Sequence, residues 1–202
     1  MARLLRFRFI PLFTVLFLIN TLCYADAQSF IKNDVTVAPT VKPLVLFYSR
    51  AGTTRTVALA IANQLSWEAE EVVSRKNRHY LGTVTCVFDQ LFDRDDDVEP
   101  LQRDLSGYNP VLIASPVWIH KISSPMRTLL KQSRLENKEA FLVLTNNGNF
   151  DEKDEKGIRE NIASYGFMVR GCYPICTSDK DDAALRRDAR KIVEDIISFL
   201  HE

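Results

Sequence analysis

The residues best suited to chemistry in this sequence form a short polar loop that follows an apolar run. Leu44–Phe47 is unbroken and apolar, as is typical of a parallel strand buried on both faces. Small residues and hydroxyls follow, and a helical pattern begins at Thr54. The helix dipole and the unpaired amides at such a point favour an anion such as a phosphate. The candidate binding residues of this first loop are Ser49, Arg50, Ala51, Gly52, Thr53, Thr54 and Thr56.

An ordinary strand-to-helix turn explains the same residues without a ligand. In that interpretation Gly52 supplies the tight turn, and Thr53 or Thr54 caps the helix. The loop lacks the lysine and the length of a Walker P-loop, and it lacks the G-x-G-x-x-G spacing of a dinucleotide site. These absences argue against a nucleoside triphosphatase and a conventional dinucleotide-dependent enzyme.

Two further polar loops follow predicted strands. The second loop, Ser115–His120, carries Trp118, whose ring suits stacking on a planar ring system. The third loop, Asn146–Phe150, offers amides, backbone donors and an aromatic ring. Each has a structural alternative, since a lone tryptophan often packs in a core and Asn-Gly is a common turn pair. The candidate binding residues here are Ser115, Pro116, Val117, Trp118, Ile119 and His120 in the second loop and Asn147, Gly148, Asn149 and Phe150 in the third.

Alternating apolar runs and helical patterns predict an open parallel sheet covered on both faces. The predicted strands are 43–49, 70–74, 110–115, 139–145 and 168–173. The predicted helices are Thr54–Leu65, Leu81–Phe92, Ser124–Gln132, Asp154–Ser164 and a last one that includes Leu185 and Leu200 and is preceded by Asp181 and Asp182. A strand order of 2-1-3-4-5 and a mononucleotide-binding Rossmann half both fit. In the first order the three loops lie on adjacent strands and meet in one crevice at the carboxyl edge of the sheet.

The order of these motifs resembles the flavodoxin family, in particular bacterial flavodoxin-like proteins related to flavin-dependent quinone reductases. The family's phosphate loop reads approximately S-x-T-G-N-T, and here it is Ser49–Thr54. Residues 104–118 resemble the third strand and flavin loop, and 123–130 the helix that follows, so the resemblance covers about residues 43–176. It implies an α/β fold, a three-layer, doubly wound, five-stranded parallel sheet of order 2-1-3-4-5. It also implies noncovalent FMN, with its phosphate in the first loop and its isoalloxazine between Val117–His120 and Asn147–Phe150, against Trp118.

The resemblance implies electron transfer to a redox partner protein or a small-molecule acceptor, with quinone reduction as one form of that activity. No residue is expected to act as a dedicated catalytic acid, base or nucleophile. Ala51 stands where the family has threonine and Thr53 where it has asparagine, which motivates an alternative: a binding or structural module that has lost the flavin. A phosphate-handling hydrolase is less favoured, because Ser49, Ser115 and Asn146 stand where it would need carboxylates.

The first 27 residues have the pattern of a secretory signal peptide. Arg3, Arg6 and Arg8 precede the apolar run Phe9–Leu22, and Ala25-Asp26-Ala27 supplies small residues for cleavage. We therefore predict an exported protein, periplasmic or secreted, with a linker at 28–42 and one domain at 43–202. An uncleaved N-terminal anchor is the alternative, and it is the one membrane contact expected.

Charge and cysteine content narrow the classes further. Without residues 1–27 the chain keeps 23 basic and 25 acidic side chains, so a nucleic-acid-binding role is not expected. Cys86, Cys172 and Cys176 remain, an odd number. Cys172 and Cys176 can pair only if the chain turns at Pro174, and otherwise they are structural thiols. No metal site is expected, and the acidic run Asp93–Asp97 is predicted to be a solvated loop.

Overall fold

Strands and helices alternate along the chain. The structure is a computed structural model, and it describes residues 42–76, 91–133 and 137–201. Its strands are β1 (Lys42–Phe47), β2 (Glu68–Glu71), β3 (Tyr108–Trp118), β4 (Lys121–Ile122), β5 (Lys138–Asn146) and β6 (Phe167–Cys176). Its helices are α1 (Thr53–Leu65), α2 (Ser124–Ser133), α3 (Glu152–Ser164) and α4 (Asp182–Leu200).

The sheet has the strand order β2-β1-β3-β5-β6, and neighbouring strands along this path are parallel. The two-residue β4 pairs antiparallel with the end of β3. If the parallel strands of the described residues are numbered in chain order, the order is 2-1-3-4-5, which confirms the predicted fold class and excludes the Rossmann half. Val45, Leu112 and Phe141 lie side by side across the three central strands.

Both faces of the sheet are buried, which explains the unbroken apolar runs. Leu44 and Leu46 of β1 point to one face, and Val45 and Phe47 point to the other, because successive side chains of a strand alternate. The first face packs against residues of α2 and α3, including Met126, Leu130, Ile158 and Ile162. The second packs against residues of α1 and α4, including Val57, Ile61, Ala189 and Ile196.

Strand β2 begins two residues earlier than predicted. The prediction followed the apolar residues Val72 and Val73, whereas the observed strand is the acidic segment before them. Glu68–Glu71 pairs with Leu44–Phe47, and the apolar Val72 and Val73 follow its end. Arg103 forms ion pairs with two glutamates of this acidic strand. Arg103 Nε donates to Glu68 Oε2 at 2.9 Å, and Arg103 Nη1 lies 3.3 Å from Glu70 Oε2. These hydrogen bonds, with one from the Tyr108 hydroxyl, lower the pKa of Glu68.

Strand β6 runs straight through Pro174, so the chain does not turn between Cys172 and Cys176. Both are free thiols among the described residues, and no disulfide joins them. Cys172 is half-buried, whereas Cys176 is exposed at the end of the strand, so only Cys172 fits the expected structural thiol. Pro174 is tolerated because, within the described residues, β6 lies at an edge of the sheet.

The acidic run at 93–97 is not simply a solvated loop, and that prediction was wrong for Asp96. Its side chain is 7% exposed and accepts hydrogen bonds from Ser74 Oγ at 2.8 Å and Ser124 Oγ at 3.2 Å. Its backbone N–H donates to Thr128 Oγ1 at 2.7 Å. The run therefore ties the segment after β2 to the first turns of α2.

Several predictions fall on residues outside the described ranges. They are the signal peptide at 1–27, almost all of the linker at 28–42, Cys86, and the helix Leu81–Phe92 except for its last two residues. Within the part of the chain that the structure describes, no helix is both long and apolar enough to cross a membrane.

Candidate functional site

The three predicted loops leave the sheet at the same edge. They follow β1, β3 and β5, which are neighbours in the sheet, and parallel strands end on one side. A buried hydrogen bond between Thr54 Oγ1 and Thr145 Oγ1, 2.8 Å long, joins the start of α1 to the end of β5. The three loops are therefore neighbours at the carboxyl edge of the sheet, as the strand order predicts.

Gly52 determines the shape of the first loop. Its φ is +94°, a left-handed conformation that favours glycine, and it precedes the first residue of α1. Gly52 carries no side chain, so the first N–H groups of the helix receive no cap from this position. A Cβ placed on it would meet nothing within 4 Å, so the space beside it is open. This arrangement fits a phosphate group, which the free amides and the helix dipole would stabilise.

The side chains of the first loop divide into two groups. Ser49 Oγ accepts the Gly52 N–H at 3.1 Å and so holds the turn, and Thr54 is 3% exposed and bonded to Thr145. Thr54 is not a cap, and its hydroxyl points into the fold. Arg50 and Ala51 are exposed, and Thr53 and Thr56 are half-buried, so these four lie at the surface of the loop.

Most of the second loop is strand. We predicted that β3 ends at Ser115, but it continues to Trp118 because Val117 and Trp118 pair with Ile122 and Lys121 of β4. Ser115 is 0% exposed, and its hydroxyl lies 2.9 Å from Ser123 Oγ and accepts the Ser123 N–H at 3.1 Å. It therefore supports the second loop from inside rather than presenting a group at the surface.

Trp118 lies at the carboxyl edge, half-buried, beside Pro116 and Val117. Its ring makes an edge-to-face contact with Tyr48, with centroids 5.7 Å apart and planes at 87°. Tyr48 was not among the predicted site residues, because it ends the apolar run and was assigned to the strand. The contact places the first and second loops side by side.

His120 is held by a residue that the sequence did not single out. Its Nδ1 lies 2.7 Å from Oδ1 of Asp154 in α3, and the carboxylate can only accept this hydrogen bond. Asp154 is 8% exposed although it is charged. Only its position three residues after Asp151 signalled a role, as the third helical residue of a capping box.

The third loop is fixed by the strand end and by the segment after β6. Asn146 Oδ1 accepts the Gly148 N–H at 2.8 Å, and Gly148 has a φ of +98°. Thr177 Oγ1 donates to the Asn146 carbonyl at 2.9 Å, and Ser178 Oγ donates to the Asn147 carbonyl at 3.0 Å. Asn147, Gly148 and Asn149 are exposed, and Phe150 packs against the core at half burial. Thr177 and Ser178 could have been found, since they too follow a strand at this edge.

The edge as a whole offers backbone donors at the first loop and aromatic rings at the second and third. A cavity of about 460 Å³ borders the first loop on the side of β2, where Tyr48, Ser49 and Arg50 line it. Arg55 and Glu71 lie on the same side, and Arg55 donates to both carboxylate oxygens of Glu71 at 2.6 and 3.2 Å. Within the described ranges, no group of three or more histidine, cysteine or acidic side chains is arranged to hold a metal ion.

Known proteins resemble this chain in fold, and the sequence comparisons give no match. No protein-family model and none of the curated proteins matches the chain. Among solved structures, a flavoprotein in complex with FMN from Lactobacillus acidophilus NCFM is 25% identical at a TM-score of 0.55, covering 67% of this chain and 93% of its own.

Two proteins named as candidate flavoproteins give similar matches. The protein from Bacteroides eggerthii DSM 20697 is 14% identical at a TM-score of 0.59, covering 75% of this chain and 97% of its own. The protein from Bacteroides uniformis ATCC 8492 is 16% identical at a TM-score of 0.58, covering 72% and 96%. Together with the strand order, these matches settle the fold. The fold is flavodoxin-like.

The flavodoxin-like core places every predicted site residue near the carboxyl edge, but not every side chain is exposed there. The side chains of Ser115 and Thr54 are turned inward, while their backbones remain in the loops. The other candidates are half-buried or exposed at the edge. Tyr48, Asp154 and Thr177 join them as supporting residues.

Proposed function

We propose that this chain binds FMN noncovalently and transfers electrons. The observation that carries the proposal is the open, glycine-started N-terminus of α1 at the edge where three adjacent strands end. The FMN-bound flavoprotein of Lactobacillus acidophilus, which this chain matches over 93% of that protein's length, supports the choice of ligand.

The residues of the edge divide the binding task. The N–H groups of Thr53 and Thr54 hold the phosphate, and Gly52 lets the backbone approach it. Trp118 and Phe150 flank the ring system with apolar surface, which excludes water from one side of it. A bound flavin supplies the redox chemistry, and the surrounding protein sets its potential.

We further propose that the acceptor is a redox partner protein or a small molecule such as a quinone, and that the protein acts after export. The exposure of Asn147–Asn149 supports access by an acceptor from solvent. The N-terminal pattern of arginines, apolar run and small residues supports export. Fractionation of cells that express the full chain tests the second point, and recovery only from the cytoplasm would contradict it.

An absorbance spectrum tests FMN binding directly. The purified protein should carry a yellow chromophore, or it should quench the fluorescence of added FMN with a saturable one-to-one titration. Riboflavin, which lacks the phosphate, is the matched control, and we expect it to bind more weakly because the first loop recognises the phosphate. A colourless protein that gives no response to FMN would overturn the proposal.

A second candidate is a flavodoxin-fold binding or structural module without flavin. It is favoured by Ala51, which removes a hydroxyl that the family has, and by Thr54, whose hydroxyl is bonded to Thr145. A ligand at 100 times its Kd stabilises a protein by about 2.7 kcal/mol, so a flavin site should raise the Tm measurably. An unchanged Tm at saturating FMN would favour this second candidate.

A further inference from the structure

The turn between β3 and β4 adopts an unfavourable backbone conformation. Its two central residues, Ile119 and His120, have φ values of +45° and +63°, and the flanking pairs are Val117 with Ile122 and Trp118 with Lys121. Two-residue turns of this kind favour asparagine, aspartate or glycine, and a β-branched residue such as isoleucine rarely adopts a positive φ. Such a turn persists only where its surroundings hold it.

Asp154 provides that support, and it contacts both the hairpin and the residue that follows the third loop. Its Oδ1 lies 2.7 Å from His120 Nδ1 in the hairpin, and its Oδ2 accepts the Asp151 N–H at 3.3 Å, directly after the third loop. Asp151 Oδ1 in turn accepts the Asp154 N–H at 2.9 Å, which fixes the carboxylate on the first turn of α3. One carboxylate therefore joins the hairpin that carries Trp118 to the loop that carries Phe150.

We propose that His120 and Asp154 are positioning residues that set the separation of the second and third loops. They act through Trp118 and do not touch the ligand. The inference rests on the proposed function for its consequence, which is that this separation determines how tightly the flavin ring is held. Without the contact, the strained turn relaxes and the hairpin moves away from the third loop.

The test compares His120→Ala, Asp154→Ala and the double variant with the wild-type chain, all carrying Trp67→Phe so that Trp118 is the one tryptophan. Emission of the flavin-free protein and its quenching by acrylamide report the position of Trp118. The FMN Kd is measured separately by flavin fluorescence. We expect red-shifted emission, stronger quenching and a Kd raised about three- to fivefold in each single variant, the range of a partly exposed side-chain contact. The double variant should equal the single ones.

Arg159→Ala is the matched control. It removes the ion pair between Arg159 and Glu155 on the same helix α3, but it leaves both the His120–Asp154 contact and the Asp151–Asp154 hydrogen bonds in place. We expect at most a slightly lower Tm, with Trp118 emission and FMN Kd unchanged. This separates a positioning role from a purely structural one.

The two proposals fail in different ways. If the wild-type chain binds no FMN, the proposed function and the predicted Kd effect are both overturned, while the emission of the flavin-free variants still decides whether the contact holds the hairpin. If FMN binds but emission, quenching and Kd in His120→Ala and Asp154→Ala match the wild type, the positioning role is overturned. A Kd raised equally by Arg159→Ala would also overturn it.

Discussion

The first loop and the other two loops of the carboxyl edge are built in different ways. The first is shaped mainly by backbone, with Gly52 at φ +94° and a short-range hydrogen bond from its N–H to Ser49, and one long-range side-chain pair, Thr54 with Thr145, joins its end to β5. The second and third are held by side chains from elsewhere, through Ser115 with Ser123, His120 with Asp154, and Thr177 with the Asn146 carbonyl.

This difference predicts how each region tolerates change. A site made of backbone N–H groups keeps its function when exposed side chains vary, so Ala51 weakens the first loop without abolishing it. A region held by specific side-chain pairs fails when either partner is lost, because the remaining polar group is left unsatisfied. The first loop should be most sensitive at Gly52, with Ser49 and Thr54 as its supporting side chains, and the other two loops should be sensitive at several supporting positions.

Alkylation of Cys176 should have the largest effect on FMN binding, and it probes the third loop alone. The position of a Cβ on Gly148 is 3.6 Å from Cys176 Sγ, so bulk added to this exposed thiol presses on the loop. Burial raises the pKa of Cys172 to about 12. At pH 8 Cys172 is therefore almost entirely in the thiol form, and the exposed Cys176 should react with iodoacetamide faster than Cys172.

Peptide mapping by mass spectrometry after iodoacetamide treatment measures the two rates and separates them from Cys23 and Cys86. The protein labelled at Cys176 should bind FMN more weakly, and Cys176→Ser treated in the same way should not change. Equal labelling of Cys172 and Cys176 would contradict the burial of Cys172. Unchanged FMN binding after labelling would remove the third loop from the site.

Gly52→Ala should have the next largest effect, and it probes the first loop. No atom lies within 4 Å of the added Cβ, so the cost comes from the backbone conformation and not from a clash. Holding a non-glycine residue in the left-handed region costs about 1–2 kcal/mol. We expect unfolding in urea at lower concentration and weaker binding of FMN, because relaxation of the turn moves the first N–H groups of α1.

Gly107→Ala is the control for this substitution. Its Cβ also meets nothing within 4 Å, but its φ is not positive, so the change should be close to neutral. A Gly52→Ala variant with wild-type stability and wild-type FMN affinity would show that the shape of the first loop does not matter, and the contrast between the loops would disappear.

The backbone-built part of the molecule was the part most accessible from sequence. The apolar run Leu44–Phe47, Gly52 and the helical pattern after it placed β1, the turn and α1 almost at their observed limits. Local signals determine these elements, since burial on both faces and a left-handed turn each leave a mark on a few adjacent residues.

The parts held by long-range pairs were not predictable in the same way. The end of β3 depends on its pairing with β4, and β4 is only two residues long. The burial of Asp96 depends on Ser74 and Ser124, and the role of Asp154 depends on a histidine 34 residues away. The acidic strand Glu68–Glu71 is stabilised by Arg103, which lies in another part of the sequence.

Ala51→Thr should have a smaller effect, and it should strengthen FMN binding rather than weaken it. Ala51 is exposed on the first loop, and a threonine there adds a hydroxyl beside the expected phosphate. One additional hydrogen bond contributes about 0.5–1.5 kcal/mol, so FMN should bind roughly 2- to 10-fold more tightly. Ala51→Val has the same shape without the hydroxyl and should leave the Kd unchanged. Equal tightening by valine would assign the gain to packing.

Glu68→Gln should have the smallest effect, a change in the pH dependence of stability. It tests whether the FMN site extends as far as β2. Hydrogen bonds from Arg103 and Tyr108 lower the pKa of Glu68 in the folded state below its usual 4.5. The stability gained from the ionised form is therefore complete above that value and is lost as the pH falls through the folded pKa. The wild-type free energy of unfolding should decrease more steeply on acidification in that window than that of Glu68→Gln, as urea titrations at several pH values would show.

The exposed Glu194→Gln on α4 serves as the control for a general loss of charge. Since Glu68 is the first residue of β2 and pairs with Leu44 near the start of β1, it lies at the end of the sheet opposite the three loops, and its substitution should leave the FMN Kd at neutral pH unchanged. A weaker FMN affinity in Glu68→Gln would extend the site from the three loops toward β2 and the 460 Å³ cavity beside it. The first loop would then no longer act through its backbone alone, because its position would depend on a side-chain network like those of the other two.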